Sequence, residues 1–109
     1  MATILIVDDE ESVRRAIAGV LSDEGHRPVL APGADEAEKE IAAALPDLVL
    51  LDVAMPGRDG LELLERLRTS HPELPVVMMS GHSTIETAVR ATKLGAYDFL
   101  EKPLTYDKL

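Results

Sequence analysis

Short blocks of consecutive apolar residues alternate along this chain with segments in which apolar positions recur every three or four residues. The blocks TILIV (Thr3–Val7), RPVLA (Arg27–Ala31), DLVLL (Asp47–Leu51), PVVMM (Pro75–Met79) and AYDFL (Ala96–Leu100) predict five strands. Those around Ile4, Val49 and Val77 are apolar without interruption, as parallel strands covered on both faces are. Between them, Val13, Ile17, Val20 and Leu21 form one helical stripe with Gly25 as its stop. Ala37, Ile41, Ala44 and Leu45 form a second, ended by Pro46, and Leu61, Leu64 and Leu67 a third, ended near Pro72. The fourth opens on a capping box, Ser83 with Glu86, and closes at Gly95 after Leu94.

Strand and helix in alternation, with short connections, predict right-handed crossovers and a parallel α/β sheet. Periodicity does not give the strand order. After Pro103 only LTYDKL remains where a fifth helix is due. The expectation is one domain over residues 1–109, its last helix missing or truncated and any output domain absent. Apolar sheet surface left uncovered in this way would drive association, and a homodimer through the fourth helix and fifth strand, or some swapped arrangement, is expected.

Composition narrows the function classes. At 109 residues and 46% apolar, the chain is long enough for one real core. Its formal charge of −9, with no basic stripe interleaved with aromatics, argues against direct nucleic-acid binding. It has no cysteine, which excludes disulfides and thiolate metal sites. There is no basic leader, and no apolar run approaches the roughly 18 residues of a membrane span. A cytoplasmic protein without membrane contact is expected.

In open parallel sheets, ligands bind beyond the carboxyl ends of the strands. Asp8 and Asp9 follow the first predicted strand, Asp52 the third, Ser80 and Gly81 the fourth, and Glu101, Lys102 and Pro103 the fifth. Each has an ordinary structural use. Acids favour a helix N-terminus, an aspartate caps a turn, a serine suits a loop, and most lysines are solvated. Their joint placement at one sheet edge points to a site instead. Clustered carboxylates with no His or Cys among them suit a hard cation, Mg²⁺ or Mn²⁺. A carboxylate can also attack phosphorus to form an aspartyl phosphate. Phosphoryl transfer asks mainly for alignment and neutralised charge, which a metal, Lys102 and the Ser80 hydroxyl can supply.

From ILIVDDEE through LLDVAMPGRDG and VVMMSGHS to YDFLEKPL, the chain resembles the receiver domains of bacterial two-component response regulators. The resemblance implies a flavodoxin-like (CheY-like) doubly wound five-stranded sheet of order 2-1-3-4-5. It implies that Asp52 accepts a phosphoryl group from a sensor histidine kinase. Asp8, Asp9, Asp52 and the backbone carbonyl of Ala54 would hold Mg²⁺. Lys102 would contact the phosphoryl group, aimed inward by a cis bond to Pro103. Ser80 and Phe99 would form the switch that alters the surface of the fourth helix and fifth strand. Ala54 and His82 flank the site and would tune the phosphoryl lifetime, His82 as an exposed lid residue and not a ligand. Kinase choice would lie on the first helix, Ser12 to Leu21, and the loop after the fifth strand. Such a domain catalyses only its own phosphorylation and dephosphorylation. TIETAVRATKLGAYDFLEKPL is most similar to receivers of σ54-dependent, NtrC/NtrX-type activators, which implies a C-terminal output acting on transcription.

Three other readings fit less well. A Mg²⁺-dependent aspartyl-phosphate phosphohydrolase would want a second aspartate where Ala54 stands, and a cap domain does not fit in this length. A flavin carrier would want stacking groups, and the chain has one Phe, two Tyr and no Trp. A phosphorylation-independent docking module has no need of the full acid, hydroxyl and lysine set.

Overall fold

The computed structural model describes residues 1–55, 57, 59–81 and 85–102. Along them run β1 (Thr3–Val7), α1 (Glu11–Asp23), β2 (Arg27–Ala31), α2 (Ala34–Ala43), β3 (Leu48–Asp52), α3 (Gly60–Ser70), β4 (Val76–Ser80), α4 (Ile85–Lys93) and β5 (Asp98–Glu101). The strands form a single sheet in the order β2-β1-β3-β4-β5, and every neighbouring pair is parallel. All carboxyl ends therefore lie along one edge, as the alternation requires.

Side-chain alternation splits the core in two. Leu5, Val7, Val49, Leu51, Val76 and Met78 point to one face, where Ala37 and Ile41 of α2, Leu64 and Leu67 of α3 and Ala91 of α4 cover them. Ile4, Ile6, Leu50, Val77 and Met79 point to the other, against Ile17 and Leu21 of α1. Both faces are thus apolar, which is why these strands read as unbroken runs. Burying each large aliphatic side chain here stabilises the fold by roughly 1.5–3 kcal/mol.

Several element ends differ from expectation. β3 and β4 begin and end one residue later, so that Asp52 and Ser80 are the last strand residues and not the first loop residues. At the lower end, Asp47 serves as a clasp instead. Its carboxylate accepts the Thr3 N–H at 2.7 Å and its own N–H donates to the Thr3 carbonyl at 2.8 Å. β5 begins at Asp98 and not at Ala96, because the Ala96 N–H still bonds back to Ala91 around Gly95, whose φ is +101°. Ala44 turns extended, so the α2 stripe stops at Ile41 and Leu45 is left 61% exposed. Pro46 disfavours helical backbone at Leu45, the residue before it, so the helix does not run on to carry the rest of the stripe.

Uncovered sheet surface is not found at Val77 or Met79, which are buried. Among the described residues, the large exposed apolar side chains near this edge are Ile85 and Val89 on α4 and Tyr97 beyond it. The expected Ser83 cap, His82, the Lys102–Pro103 bond and residues 104–109 lie outside the described residues.

Candidate functional site

β1 and β3 are neighbours at the centre of the sheet, so the residues at their ends meet. Asp8 extends the β1–β2 ladder by one bond, its N–H donating to the Ala31 carbonyl at 3.2 Å. Its side chain is fully buried, and Oδ1 accepts the Glu10 N–H at 2.9 Å, turning the chain into α1. Asp9, the next residue, is exposed. Asp52 closes β3 and is only 4% exposed. One carboxylate oxygen from each of Asp8, Asp9 and Asp52 lies within 4.8 Å of the other two.

Lys102 completes the group from the far side of the sheet. Its N–H donates to the Ser80 carbonyl at 2.8 Å, which pins it beside the end of β4. From there the ammonium crosses to Asp8 Oδ2 at 2.6 Å and Asp52 Oδ1 at 3.3 Å. Ser80 itself is nearly buried at the end of β4, opposite Glu101 in the register. Phe99 pairs with Met78, is half-buried and packs on the α2–α3–α4 side, whereas Leu100 packs on the α1 side. Tyr97 lies outside β5 and is exposed.

Burial, and then the negative charge of Asp8, push the Asp52 carboxyl up from 3.8 to about 6, against the Lys102 ammonium and the Ala54 N–H, which favour the charged form. Burial alone would pull Lys102 down. The hydrogen bond and charge of Asp8, with the charge of Asp52, outweigh it and hold the ammonium above its usual range. Three carboxylates against one ammonium leave the cluster short of positive charge. The buried Oδ2 of Asp8 has, among the described residues, no partner but that ammonium. An all-oxygen donor set of this kind fits a hard divalent cation such as Mg²⁺ or Mn²⁺.

Two residues at the site were not apparent from sequence. Arg14, one turn into α1, donates from Nη1 to the Asp8 carbonyl at 2.6 Å. Gly60 starts α3 directly against β3, its N–H donating to the Val53 carbonyl at 2.8 Å. A Cβ there would stand 1.9 Å from the Asp52 carbonyl oxygen. No local pattern signals either role. An arginine is ordinary on a helix, and the glycine's need arises only once strand and helix are in place.

Comparison with known proteins gives the family. The family described as response regulator receiver domain matches residues 4–109. The nitrogen assimilation regulatory protein NtrX of Azorhizobium caulinodans is 55% identical over 108 residues, covering 97% of this chain and 24% of that protein. The chain thus spans about a quarter of the length of the curated relatives it matches. The crystal structure of the receiver domain of NtrX from Brucella abortus superposes with a TM-score of 0.91 at 53% identity, covering 96% of this chain and 89% of that one. The solution structure of the beryllofluoride-activated NtrC4 receiver domain dimer does so at 0.91 and 39% identity, over 97% and 88%. A match along nearly the whole chain, in sequence and in the order of its strands, makes this protein a member of the response regulator receiver domain family.

Proposed function

We propose that this domain is a phosphorylation-driven switch whose Asp52 accepts a phosphoryl group from a sensor histidine kinase. The observation that carries the reading is the buried Asp52 carboxylate, set between two acids of the β1 end and the Lys102 ammonium. An Asp52 oxygen attacks phosphorus in line with the phosphoimidazole nitrogen. As the P–O bond forms the P–N bond breaks, and the leaving nitrogen takes the electron pair and then a proton from water. Asp8, Asp9, Asp52 and the Ala54 carbonyl would hold Mg²⁺, which when bound neutralises charge on the transferring oxygens. Lys102 exchanges its carboxylate contacts for a phosphoryl oxygen, and the Ser80 hydroxyl donates to another. Hydrolysis of the acyl phosphate resets the domain, so its only catalysis is on itself.

Ser80 and Phe99 carry the signal. As Ser80 is drawn to the phosphoryl group, Phe99 turns inward and the α4–β5 surface changes. Coupling of this kind is about 1–3 kcal/mol, enough to shift populations between two shapes. The exposed Ile85 and Val89 make that surface a contact for a second copy, and the activated NtrC4 receiver was solved as a dimer. The reading includes a longer protein with a C-terminal output controlling transcription, in keeping with the regulators it resembles, and a cytoplasmic location. Among the described residues no helix is long and apolar enough to cross a membrane.

The test is intact mass after incubation with acetyl phosphate and Mg²⁺. One added phosphoryl group is expected, absent when the metal is chelated and absent in Asp52→Asn. Undiminished phosphorylation of Asp52→Asn would overturn the assignment.

A further inference from the structure

We propose that Arg14 is a positioning residue for the acid pair, holding the peptide that joins Asp8 to Asp9 and thereby setting the affinity of the site for a divalent cation. The inference rests on the reading of Asp8, Asp9 and Asp52 as a cation site. β1 ends at Val7 and α1 begins at Glu11, so both acids sit in a very short connection. Asp8 is tied at its N–H to Ala31 and at its carboxylate to the Glu10 N–H. Its carbonyl is held by the Arg14 guanidinium at 2.6 Å, a short, charge-assisted contact.

That carbonyl belongs to the same rigid plane as the Asp9 N–H. Fixing its oxygen fixes the direction in which the chain enters Asp9. Asp9 is exposed, with no core packing to orient it, so its carboxylate depends on the backbone for its aim. Arg14 is half-buried, and its own N–H donates to the Glu10 carbonyl at 3.1 Å, so the guanidinium is anchored from the first turn of α1. Partners that orient ligands without touching the metal commonly govern affinity in this way.

The sign of the effect separates this role from simple charge. A guanidinium near the site repels a cation, so removing it would tighten binding if charge were all that mattered. Loss of positioning weakens binding instead. Arg15 is the control. It lies on the same turn, is exposed, and pairs with Glu11 at 2.7 Å, away from the Asp8 carbonyl.

Mg²⁺ affinity is measured by calorimetric titration of the whole chain, with thermal midpoints recorded in chelator to confirm folding. Arg14→Ala is expected to bind Mg²⁺ about tenfold more weakly, Arg14→Lys to recover part of the loss because it keeps a donor, and Arg15→Ala to match the unmodified protein. Should Arg14→Ala fail to fold, Arg14→Lys and Arg14→Gln carry the comparison, each expected to bind more weakly than the unmodified chain. Binding by the Arg14 variants as tight as the unmodified chain's, or equal weakening in Arg15→Ala, would overturn the role of Arg14 alone. An unmodified chain that binds no Mg²⁺ would instead remove the cation site, and the inference with it.

Discussion

Asp52 is the residue on which the site turns, and its environment makes a stability prediction. Its carboxyl is raised to about 6 in the fold, above the ordinary aspartate value of about 3.9. Between these values the folded chain holds a proton that the unfolded chain has lost, so stability falls as pH rises through that window. Above pH 6 the ionised group costs the fold on the order of 2–3 kcal/mol, at about 1.4 kcal/mol per pKa unit. Asp52→Asn should therefore raise the urea midpoint at pH 7.5 without divalent cation, and the gain should vanish near pH 4. A gain that is absent at pH 7.5, or the same at both, contradicts the electrostatic account. Lys102 has the opposite sign. Its raised pKa contributes stability that is complete at neutral pH and lost only in strong alkali. Lys102→Ala leaves the buried Asp8 carboxylate uncompensated, and denaturation should show a loss of about 3–5 kcal/mol. The acids, Ser80 and Lys102 were legible because each lies within two residues of the end of an apolar block. Arg14 and Gly60 were not, because their roles are distances between elements.

The junction of β3 with α3 shows how an element aims a side chain. Asp59 caps α3 by accepting the Glu62 N–H at 2.8 Å, and Gly60 lets the helix begin against the Asp52 backbone. The two substitutions should differ in kind. Asp59→Ala removes a cap and should cost about 1 kcal/mol, leaving phosphorylation of Asp52 at its normal rate. Gly60→Ala forces a Cβ into the Asp52 carbonyl, and the shift should cost about 1–3 kcal/mol and slow phosphorylation as well. Equal phosphorylation rates in the two variants would show that the contact does not aim Asp52. Among the described residues, periodicity placed all nine elements, since apolar runs and stripes record which faces are buried. It misplaced their ends where hydrogen bonds decide. The clasp of Asp47, the turn at Gly95 and the extended Ala44 each moved a boundary that the apolar pattern alone could not fix.

At the scale of the molecule, parallel strands gather the chemistry at one edge, and the order β2-β1-β3-β4-β5 sets Asp8 beside Asp52. That order was legible only through resemblance to a family, because hydrophobic pattern records burial and not adjacency. The apolar side chains of α4 make the oligomer prediction. Light scattering should show a dimer favoured by phosphorylation, and Val89→Asp, which charges an exposed position, should return the phosphorylated chain to monomer. A phosphorylated chain that stays monomeric at every concentration removes that contact. The central claim, that acids of separate strands converge so that Asp52 alone carries a transferable phosphate, has a direct chemical test. Borohydride reduces an aspartyl phosphate to homoserine. Peptide mapping of the reduced, phosphorylated chain should find homoserine at position 52 and nowhere else, whereas homoserine at position 8 or 9, or none at all, would contradict the account.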